Sequence, residues 1–534
     1  MERSKWINVG KILEMHAAHF PDKLGWKDKY KSFNFREWNE RACRLAHGLM
    51  SIGIGRQDRL AALAYNRGEW MEFYAGCAKG SQIVVPILFR LALPEIEYIV
   101  SHAECKGFIV EKPFVDTVNS LKGRLPVPKD AYIYLGEKPV PEGYIYYEEL
   151  ISQSSPAEPD STVLGDDTWT IMYTSGTTGK PKGVVMTHDT YQRWFAVMGM
   201  NMPVEPTDRP LIVMPMCHIN SLFFSFRHTM VSAPVFIHNM VSFDPEELLR
   251  TIEKNRISFT SLVPTQYVMI LDLPDGVKNN IDVSSIKHLM ISSAPAGKDL
   301  KRAIMNFFKN SKLWEGYGST ETCTVTLLRP EDQLEKLGTI GREIFGTDRI
   351  KLLNENRMEV PDGDVGELFS RTAAYFKEYF KDPEKTKEGF EGEWCSVGDM
   401  AKRDKGGYYI LVDRKANMII TGGENVYPSE VEQIIREHPA IQDVAVIGVP
   451  DKKWGEAIKA IVVLKESWEA SSDLEKEIIN FTKHKLAGYK RPKSVDFLKA
   501  DEMPRTATGK MKYASLKKRY GSWDEKHESG ENIL

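Results

Sequence analysis

The chain has 534 residues, of which 42% are hydrophobic and 27% are charged, a composition typical of globular proteins and a length that needs more than one hydrophobic core. Lys and Arg total 71 against 74 Asp and Glu, a net charge of −3, so we expect no nucleic acid partner. The six cysteines are widely separated and form no CxxC pair, which argues against a zinc site or a disulfide framework and favours a reducing, cytoplasmic location.

The N-terminal segment lacks the apolar core of a signal peptide. Val9, Ile12, Leu13, Ala17 and Phe20 recur at helical spacing, which predicts a packed amphipathic helix. No apolar run is long enough for a transmembrane helix, so no integral membrane segment is expected.

Short apolar segments alternate with helical periodicity through most of the chain. They are rich in Ile, Val and Leu without strict alternation, which is typical of strands buried on both faces of a parallel sheet. They cover residues 59–65, 82–88, 106–111, 210–215, 233–238, 258–264 and 288–294. We predict an α/β fold in which residues 1–413 form a large N-terminal body of several subdomains, with parallel-type sheets flanked by helices.

The pattern changes after residue 413. The elements predicted there are a helix at 429–438, strands at 443–450 and 459–465, and a helix at 474–486. This order predicts a small α+β C-terminal domain over 414–520. The polar stretch 521–534 predicts a flexible tail.

A segment rich in glycine, lysine and hydroxyl side chains, TSGTTGKPKG at 174–183, follows a predicted strand. Its glycines can free main-chain N–H groups for phosphate oxygens, and Lys180 and Lys182 add positive charge. The first glycine of a Walker A loop is absent, and Pro181 replaces its hydroxyl residue. The segment therefore predicts a phosphate loop of another kind, and its spacing alone leaves a flexible surface turn as the alternative.

The complete string resembles the phosphate-loop motif of the AMP-forming adenylating superfamily, which includes acyl-CoA synthetases, nonribosomal-peptide adenylation domains and firefly-type luciferases. Other segments, in the same order along almost the whole chain, resemble the remaining motifs of that superfamily. They are GYGSTE at 316–321, GEWCSVGDM at 392–400, DRKANMIITGGENVYP at 413–428 and PRTATGK at 504–510. The chain looks most like a bacterial-type acyl-CoA synthetase.

This resemblance implies a two-step ligase. Oxide is too poor a leaving group for a carboxylate to react with a thiol at neutral pH, whereas an acyl-adenylate offers AMP as the leaving group. The implied enzyme forms an acyl-CoA thioester through that intermediate, releases AMP and pyrophosphate, and uses ATP, Mg²⁺ and coenzyme A. Both steps need charge neutralisation more than covalent help from the protein.

The resemblance also assigns a nucleotide site. Thr174 and Glu321 would position Mg²⁺, Asp399 would accept hydrogen bonds from the ribose hydroxyls with Arg414 nearby, and the Tyr317 ring would face adenine. The implied ATP/AMP-binding residues are Thr174, Ser175, Gly176, Thr177, Thr178, Gly179, Lys180, Lys182, Ser293, Ala294, Pro295, Glu315, Gly316, Tyr317, Gly318, Ser319, Thr320, Asp399, Arg414 and Lys510.

Four residues are implied to be catalytic: Lys510, Glu321, Thr174 and His218. Lys510 would contact the attacking carboxylate and the α-phosphate and neutralise both. Taken singly, Lys510, Glu321 and Asp399 would be interpreted as solvated charges, and His218 as a packed core histidine. The ordered set of motifs favours the functional interpretation.

The resemblance further implies a mobile C-terminal domain with two closed arrangements. One presents Lys510 for adenylation, and the other presents Gly422, Gly423 and Glu424 to coenzyme A for thioester formation. The pivot residue, commonly Asp or Lys in relatives, is Ala416 here, which removes a polar contact that would bias one arrangement.

The implied acyl pocket favours neither acetate nor a long chain. Acetate-specialised relatives place tryptophan where this chain has Gly318, whereas Ser292 and Ser293 replace glycines that are frequent in long-chain members. A medium-chain, alicyclic or aromatic acid fits best, and a polar substituent, as in carnitine-like acids, stays open. Asn220 and Ser221 could instead only cap a helix. The predicted lining is Trp194, His218, Asn220, Ser292, Gly318 and Cys323.

Several alternatives stay open on the sequence. They are an acyl-AMP ligase that loads a carrier protein, a luciferase-like monooxygenase and a non-catalytic nucleotide-binding regulator on the same fold. The expected partners are a small carboxylic acid, ATP and coenzyme A, and a homodimer is left open.

Overall fold

The computed structural model describes residues 8–174, 181–292, 296–422, 424–483, 485–506 and 511–520. These residues divide into two compact units. The larger unit holds the described residues before 351 together with Ser370–Cys395, and the smaller unit holds Lys351–Phe369 and the described residues from Ser396 onward. This division rests on contacts alone, and the mobile domain boundary at 413/414 stays a prediction.

The first sheet of the larger unit has eight strands, six of which run parallel. One edge is antiparallel, because two strands there form a hairpin that pairs with a third short strand. In spatial order the strands are Glu378–Tyr379, Lys182–Thr187, Thr168–Thr174, Ile83–Ile87, Arg59–Leu63, Gly107–Glu111, Tyr132–Leu135 and Ile145–Tyr146.

The second sheet has nine strands and again a parallel centre of six. Both edges turn antiparallel. In spatial order the strands are Arg342–Glu343, Cys323–Leu328, Lys312–Ser319, His288–Ile291, Phe259–Leu262, Pro210–Ile212, Val235–Ile237, Leu24–Lys27 and Ser32–Asn34. A separate two-stranded ribbon pairs Phe390–Glu391 with Trp394–Cys395.

Helices connect these strands, as parallel pairing requires. All seven apolar segments predicted as strands contain strands of the two sheets, and the α/β fold class is confirmed. The helices of the larger unit are Val9–His19, Phe35–Ser51, Glu69–Gly80, Leu93–His102, Val115–Asn119, Tyr147–Gln153, His188–Asn201, Ile219–Thr229, Pro245–Asn255, Pro264–Leu271, Asp275–Lys278, Lys298–Phe307 and Pro383–Glu388. The predicted N-terminal helix is the first of them, capped by the Asn8 side chain.

The smaller unit contains two sheets. Four antiparallel strands form one of them: Lys351–Leu353, Gly366–Phe369, Asp399–Arg403 and Tyr409–Arg414. The other comprises Glu424–Val426, Ile419–Thr421, Gly455–Leu464, Ile441–Asp451 and Ser494–Phe497. Its helices are Pro428–Arg436, Ser472–Phe481 and Tyr513–Tyr520, so the helix predicted over 474–486 ends at Phe481. Across the described part of the chain, no helix is both long and apolar enough to cross a membrane.

One buried histidine makes the larger unit sensitive to acid. His188 is 1% exposed, its ring stacks on Trp169 with centroids 5.6 Å apart, and neither ring nitrogen has a hydrogen-bond partner among the described residues. Burial lowers the pKa of His188 to about 4. Below the ordinary pKa of histidine, the imidazole of His188 is protonated in the unfolded chain but stays neutral in the folded protein. The free energy of unfolding therefore falls as the pH drops.

We expect His188→Phe, which keeps an aromatic ring against Trp169, to reduce this acid sensitivity. Acidification from pH 7.5 to 5.0 should destabilise the wild-type fold through His188 by about 2 kcal/mol, so its Tm should fall further than that of the variant. Thermal unfolding at both pH values measures the difference, with exposed His19→Gln as the control. Equal falls in Tm for the wild type and His188→Phe would contradict the prediction.

Candidate active site

The predicted phosphate loop connects two strands of the eight-stranded sheet. Thr174 ends one strand, Lys182 begins the next, and the two residues pair across the hairpin. Because directly opposed residues project to the same face of a sheet, the Thr174 hydroxyl and the Lys182 side chain share one face at the loop end. The loop residues Ser175, Gly176, Thr177, Thr178, Gly179 and Lys180 lie outside the described residues.

Glu321 is held in a tight turn after the strand Lys312–Ser319. The Ser319 hydroxyl oxygen accepts hydrogen bonds from the main-chain N–H groups of Glu321 and Thr322, at 3.2 and 3.1 Å. The Glu321 carboxylate is buried, at 8% exposure for the residue, and its Oε1 accepts a hydrogen bond of 2.9 Å from the Tyr379 hydroxyl.

Tyr379 brings the phosphate hairpin and Glu321 together. Its main chain pairs with Val184 of the hairpin, and the Lys182 ammonium lies 4.8 Å from the centre of its ring. Carboxylate and hydroxyl oxygens are the donors that Mg²⁺ prefers, with further ligands from phosphates and water. Glu321 and Thr174 therefore fit a magnesium site that the nucleotide completes. In the described part of the chain, no group of three or more His, Cys, Asp or Glu side chains could hold a metal ion by itself.

The strand that carries Tyr317 is anchored by a buried ion pair. The Glu315 carboxylate pairs with the Lys301 ammonium of the helix Lys298–Phe307, and both side chains are buried. Burial raises the pKa of Glu315, and Lys301 opposes that rise. The ion pair with Lys301 thus holds in place the strand that carries both Glu315 and Tyr317. The neighbouring predicted residues Ser293, Ala294 and Pro295 lie outside the described residues.

Gly318 has a main-chain reason to be glycine. The hairpin of Lys312–Ser319 with Cys323–Leu328 shifts register between Tyr317 and Gly318. A Cβ atom on Gly318 would lie 1.7 Å from the Cys323 carbonyl oxygen, and Cys323 itself has a φ of +55°. Any side chain at 318 would therefore force this turn apart, whatever acid the pocket binds. Burial also raises the pKa of the Cys323 thiol, which keeps it uncharged.

Three polar side chains meet at the carboxyl ends of the nine-stranded sheet. The Asn220 amide donates to the hydroxyls of Ser261 and Ser292, each at 3.3 Å, and the two serines share a hydrogen bond of 3.1 Å. The helix they border begins at Ile219 with His218 as its N-cap residue. The interpretation of Asn220 as a helix cap is therefore wrong, because it lies in the first turn.

An aromatic wall adjoins this cluster in the larger unit. Trp194 of the helix His188–Asn201 stacks on Phe223 of the helix Ile219–Thr229, with ring centroids 3.8 Å apart at 22°. The Trp194 indole N–H donates to the Thr324 hydroxyl at 3.0 Å, next to predicted pocket residue Cys323. The indole is held in one orientation by both contacts.

In the smaller unit, the predicted ribose acceptor has the expected neighbour. Asp399 and Arg414 pair across two antiparallel strands, and the Arg414 Nε lies 3.1 Å from the Asp399 Oδ1. The Asp399 side chain is 12% exposed and that of Arg414 is 47% exposed. Arg414 thus orients a carboxylate, the kind of group that accepts hydrogen bonds from sugar hydroxyls.

The predicted pivot and coenzyme A loop follow directly. Ala416 lies in the 3₁₀ turn Lys415–Asn417, and the Lys415 ammonium pairs with Glu367 at 2.9 Å. Gly422 has a φ of +61°, a Cβ there would lie 2.9 Å from the Trp454 ring, and its N–H donates to the Trp454 carbonyl at 2.7 Å. Gly423 lies outside the described residues.

Lys510 also lies outside the described residues, but both flanks of its motif are anchored. Arg505 forms a bridge with Met511 and an ion pair with Asp443. The Tyr513 hydroxyl donates to the buried Glu432 carboxylate at 2.7 Å. The segment before Lys510 and the helix after it are thus both fixed to the smaller unit.

Sequence reasoning missed three residues of this arrangement. Ser261 was central in the predicted strand 258–264, and it lies near the carboxyl end of the observed strand Phe259–Leu262, where parallel strands gather site residues. Tyr379 and Thr324 carry no local signal, because their partners are distant in sequence. Other residues predicted for the site keep their roles as predictions.

Family models and known proteins match most of the chain. A family model described as AMP-binding enzyme matches residues 13–380, and one for the AMP-binding enzyme C-terminal domain matches residues 430–510. The chain is 32% identical over 520 residues to a long-chain-fatty-acid–CoA ligase of Mycobacterium tuberculosis, covering 96% of this chain and 99% of the relative. It is 33% identical over 497 residues to a feruloyl-CoA synthase of an Amycolatopsis species, covering 92% and 94%. The solved o-succinylbenzoate coenzyme A synthetase of Bacillus subtilis, in complex with ATP and magnesium ion, matches with a TM-score of 0.82 at 26% identity, covering 95% and 99%.

We expect Tyr379→Phe to weaken the magnesium-dependent step, because Glu321 loses the hydroxyl that orients its carboxylate. A hydrogen bond to a charged group is worth about 1.5–3 kcal/mol, so pyrophosphate release should fall at least about tenfold, with half-saturation at higher Mg²⁺ concentration. Titration of Mg²⁺ at fixed ATP measures both effects.

Tyr375→Phe is the matched control for this variant. Among the described residues, the hydrogen bond of Tyr375 uses its main-chain carbonyl, which the substitution keeps. A Tyr379→Phe enzyme with the magnesium dependence of Tyr375→Phe would show that the Tyr379 hydroxyl does not orient Glu321.

Proposed function

We propose residue roles and an acid substrate class for this chain, from the premise that it belongs to the AMP-binding enzyme family. It is an adenylate-forming acid–CoA ligase that uses ATP, Mg²⁺ and coenzyme A. The resemblance of its motifs to the AMP-forming superfamily is confirmed. The observation that carries the proposed roles is the contact of Tyr379 with both Glu321 and the phosphate hairpin.

In the first half-reaction, the hairpin end and Glu321 hold the triphosphate. Thr174 and Glu321 supply oxygen ligands, and Lys182 places a positive charge beside them. A bound Mg²⁺ would neutralise phosphate charge as a Lewis acid. Asp399, oriented by Arg414, accepts hydrogen bonds from the ribose hydroxyls.

Lys510 completes adenylation by neutralising the attacking carboxylate and the α-phosphate, which are both anionic. Its motif is anchored on both sides, by Arg505 and by Tyr513. The domain 414–520 pivots at Ala416 between adenylation and thioester formation. His218 at the start of its helix stands between nucleotide and acid.

The acid is aromatic or of medium chain length. Trp194 and Phe223 offer stacked ring surface, and Asn220 with two serines offers hydrogen bonds at the sheet ends. Relatives of this chain are named for long-chain fatty acids, ferulate and succinylbenzoate. Because residue 318 is glycine, the pocket lacks the tryptophan that acetate-specialised relatives have at the equivalent position.

Coenzyme A approaches the Gly422 loop of the smaller unit. Beside that loop, Trp454 is 39% exposed, and the ammonium groups of Lys453 and Lys493 lie 4.9 and 5.9 Å from its ring centre. An exposed ring with adjacent lysines suits a nucleotide base and its phosphates. The thiol arm would then pass the main chain at Gly422, where a side chain is sterically excluded.

We place the enzyme in the cytoplasm, because all six cysteines are free and buried and a reducing compartment keeps such thiols reduced. A monomer and a homodimer are the two candidate states of this chain in solution. Light scattering after size-exclusion chromatography decides between them.

We expect Lys510→Ala to lower the rate of acyl-adenylate formation at least about 100-fold, because a charge that neutralises two anions is lost. Thioester formation from a supplied acyl-adenylate should continue. Mass spectrometry of products from a carboxylate panel, with ATP, Mg²⁺ and coenzyme A, measures both half-reactions.

Lys512→Ala is the matched control, since it removes a lysine two positions away. Pyrophosphate release without thioester in the wild type would support the carrier-loading alternative. Turnover of no acid by the wild type would contradict the enzyme assignment itself.

The pivot gives a separate prediction. Ala416→Pro restricts the main chain at the proposed pivot, so we expect adenylate formation to persist while thioester formation falls at least about tenfold. Single-turnover rates of the two half-reactions measure the split, and Ala416→Ser serves as the control. Equal losses in both half-reactions would place the pivot elsewhere.

A further inference from the structure

One fully buried cation in the larger unit lacks most of its hydrogen bonds. Arg227 is 1% exposed and donates from Nη2 to the Met198 carbonyl at 3.3 Å. Its Nε and Nη1 have no hydrogen-bond partner among the described residues. Burial lowers the pKa of Arg227 to about 9, which reflects a charged form that the surroundings solvate poorly.

Asp208, whose negative charge attracts Arg227, does not supply the missing acceptors. Its oxygens accept hydrogen bonds from the Ser258 hydroxyl at 3.1 Å and from the Glu205 N–H at 2.8 Å, and the Lys287 ammonium lies 3.6 Å from its Oδ1. Unmatched buried donors are costly, and for a charged group the cost is larger still. The guanidinium therefore has room for an acceptor that the described residues do not provide.

Arg227 shares one helix face with the proposed acyl pocket. Asn220, Phe223 and Arg227 lie at positions i, i+3 and i+7 of the helix Ile219–Thr229, and such positions align on one side. The guanidinium carbon lies 6.0 Å from the centre of the Phe223 ring, which also stacks on the Trp194 ring. Arg227 thus lies beyond the Trp194–Phe223 wall, toward the end of the helix that is farther from His218.

We propose that Arg227 is the distal subsite of the acyl pocket and binds a second carboxylate of the acid substrate. This inference rests on the proposed function, because it takes the Trp194 and Phe223 wall as part of the pocket. A carboxylate offers two acceptor oxygens, which the planar guanidinium matches with parallel hydrogen bonds.

The helix geometry limits the length of such an acid. Arg227 follows His218 by nine positions, about 13 Å along the helix axis, and the arginine side chain leans back toward the helix N-terminus. The two carboxylates of the substrate are therefore separated by several carbon atoms or by a ring. An acid with a cationic end, such as a carnitine-like acid, is repelled by Arg227.

Substrate selection by the wild-type enzyme tests the proposal first. Two matched pairs differ only by the distal carboxylate: heptanedioate with heptanoate, and 3-(4-carboxyphenyl)propanoate with 3-phenylpropanoate. We expect at least one diacid to exceed its monoacid about 30-fold or more in kcat/KM for acyl-CoA formation. Monoacids preferred in both pairs would overturn the distal subsite while leaving the ligase intact, whereas no thioester from any acid would overturn the proposed function.

Variants then test the residue itself. Arg227→Met should lower the diacid-to-monoacid ratio of kcat/KM at least about 30-fold, and Arg227→Lys should restore part of it. Arg209→Met is the matched control, since Arg209 also donates to a helix-end carbonyl, of Asn255 at 2.5 Å, and lies over a phenylalanine ring.

Each outcome of this series is decisive. An equal loss on diacid and monoacid in Arg227→Met would show that Arg227 only fastens the helix that ends at Asn201, and would overturn the proposal. If Arg227→Met does not fold, Arg227→Lys and the wild-type pairs give the answer, because a selective diacid preference requires a distal hydrogen-bond donor of positive charge.

Discussion

The hydrogen bond from Tyr379 to Glu321 is the contact on which the proposed nucleotide site depends. Tyr379 belongs by main-chain pairing to the hairpin that carries Thr174 and Lys182, and its hydroxyl reaches the turn that carries Glu321. That turn connects two strands of the other large sheet, so this tyrosine ties the two sheets together at the point where we propose that phosphate charge is neutralised. Because the carboxylate is buried, its position is set by this partner rather than by solvent.

Two buried cations in the larger unit differ in whether the described residues supply their hydrogen-bond acceptors. Lys301 is matched by Glu315, and the pair fixes the strand that leads to Tyr317. Arg227 is equally buried, yet two of its nitrogens have no acceptor in the described part of the chain. A matched ion pair fixes two elements to each other, whereas a buried guanidinium with unmatched N–H donors favours a ligand of opposite charge.

Glycine occurs at two site positions for main-chain reasons. At Gly318 the Cys323 carbonyl occupies the space of a side chain, and at Gly422 a positive φ and the Trp454 ring exclude one. A family motif that contains these glycines therefore records the turn geometry as well as the ligand. Substrate preference is consequently better argued from Trp194, Asn220 and Arg227, whose side chains are not demanded by the backbone.

The sequence by itself determined the fold class and the strand segments, because buried parallel strands need continuous apolar runs. The resemblance of its ordered motifs to the AMP-forming superfamily indicated the reaction. It also indicated Thr174, Glu321 and Asp399 through their motifs. Only the tertiary structure decided that Tyr379 holds Glu321, that Ser261 joins Asn220, and that Arg227 is buried without its full set of acceptors. These facts depend on contacts between residues far apart in the chain, and no local periodicity or motif encodes which distant side chain will meet another.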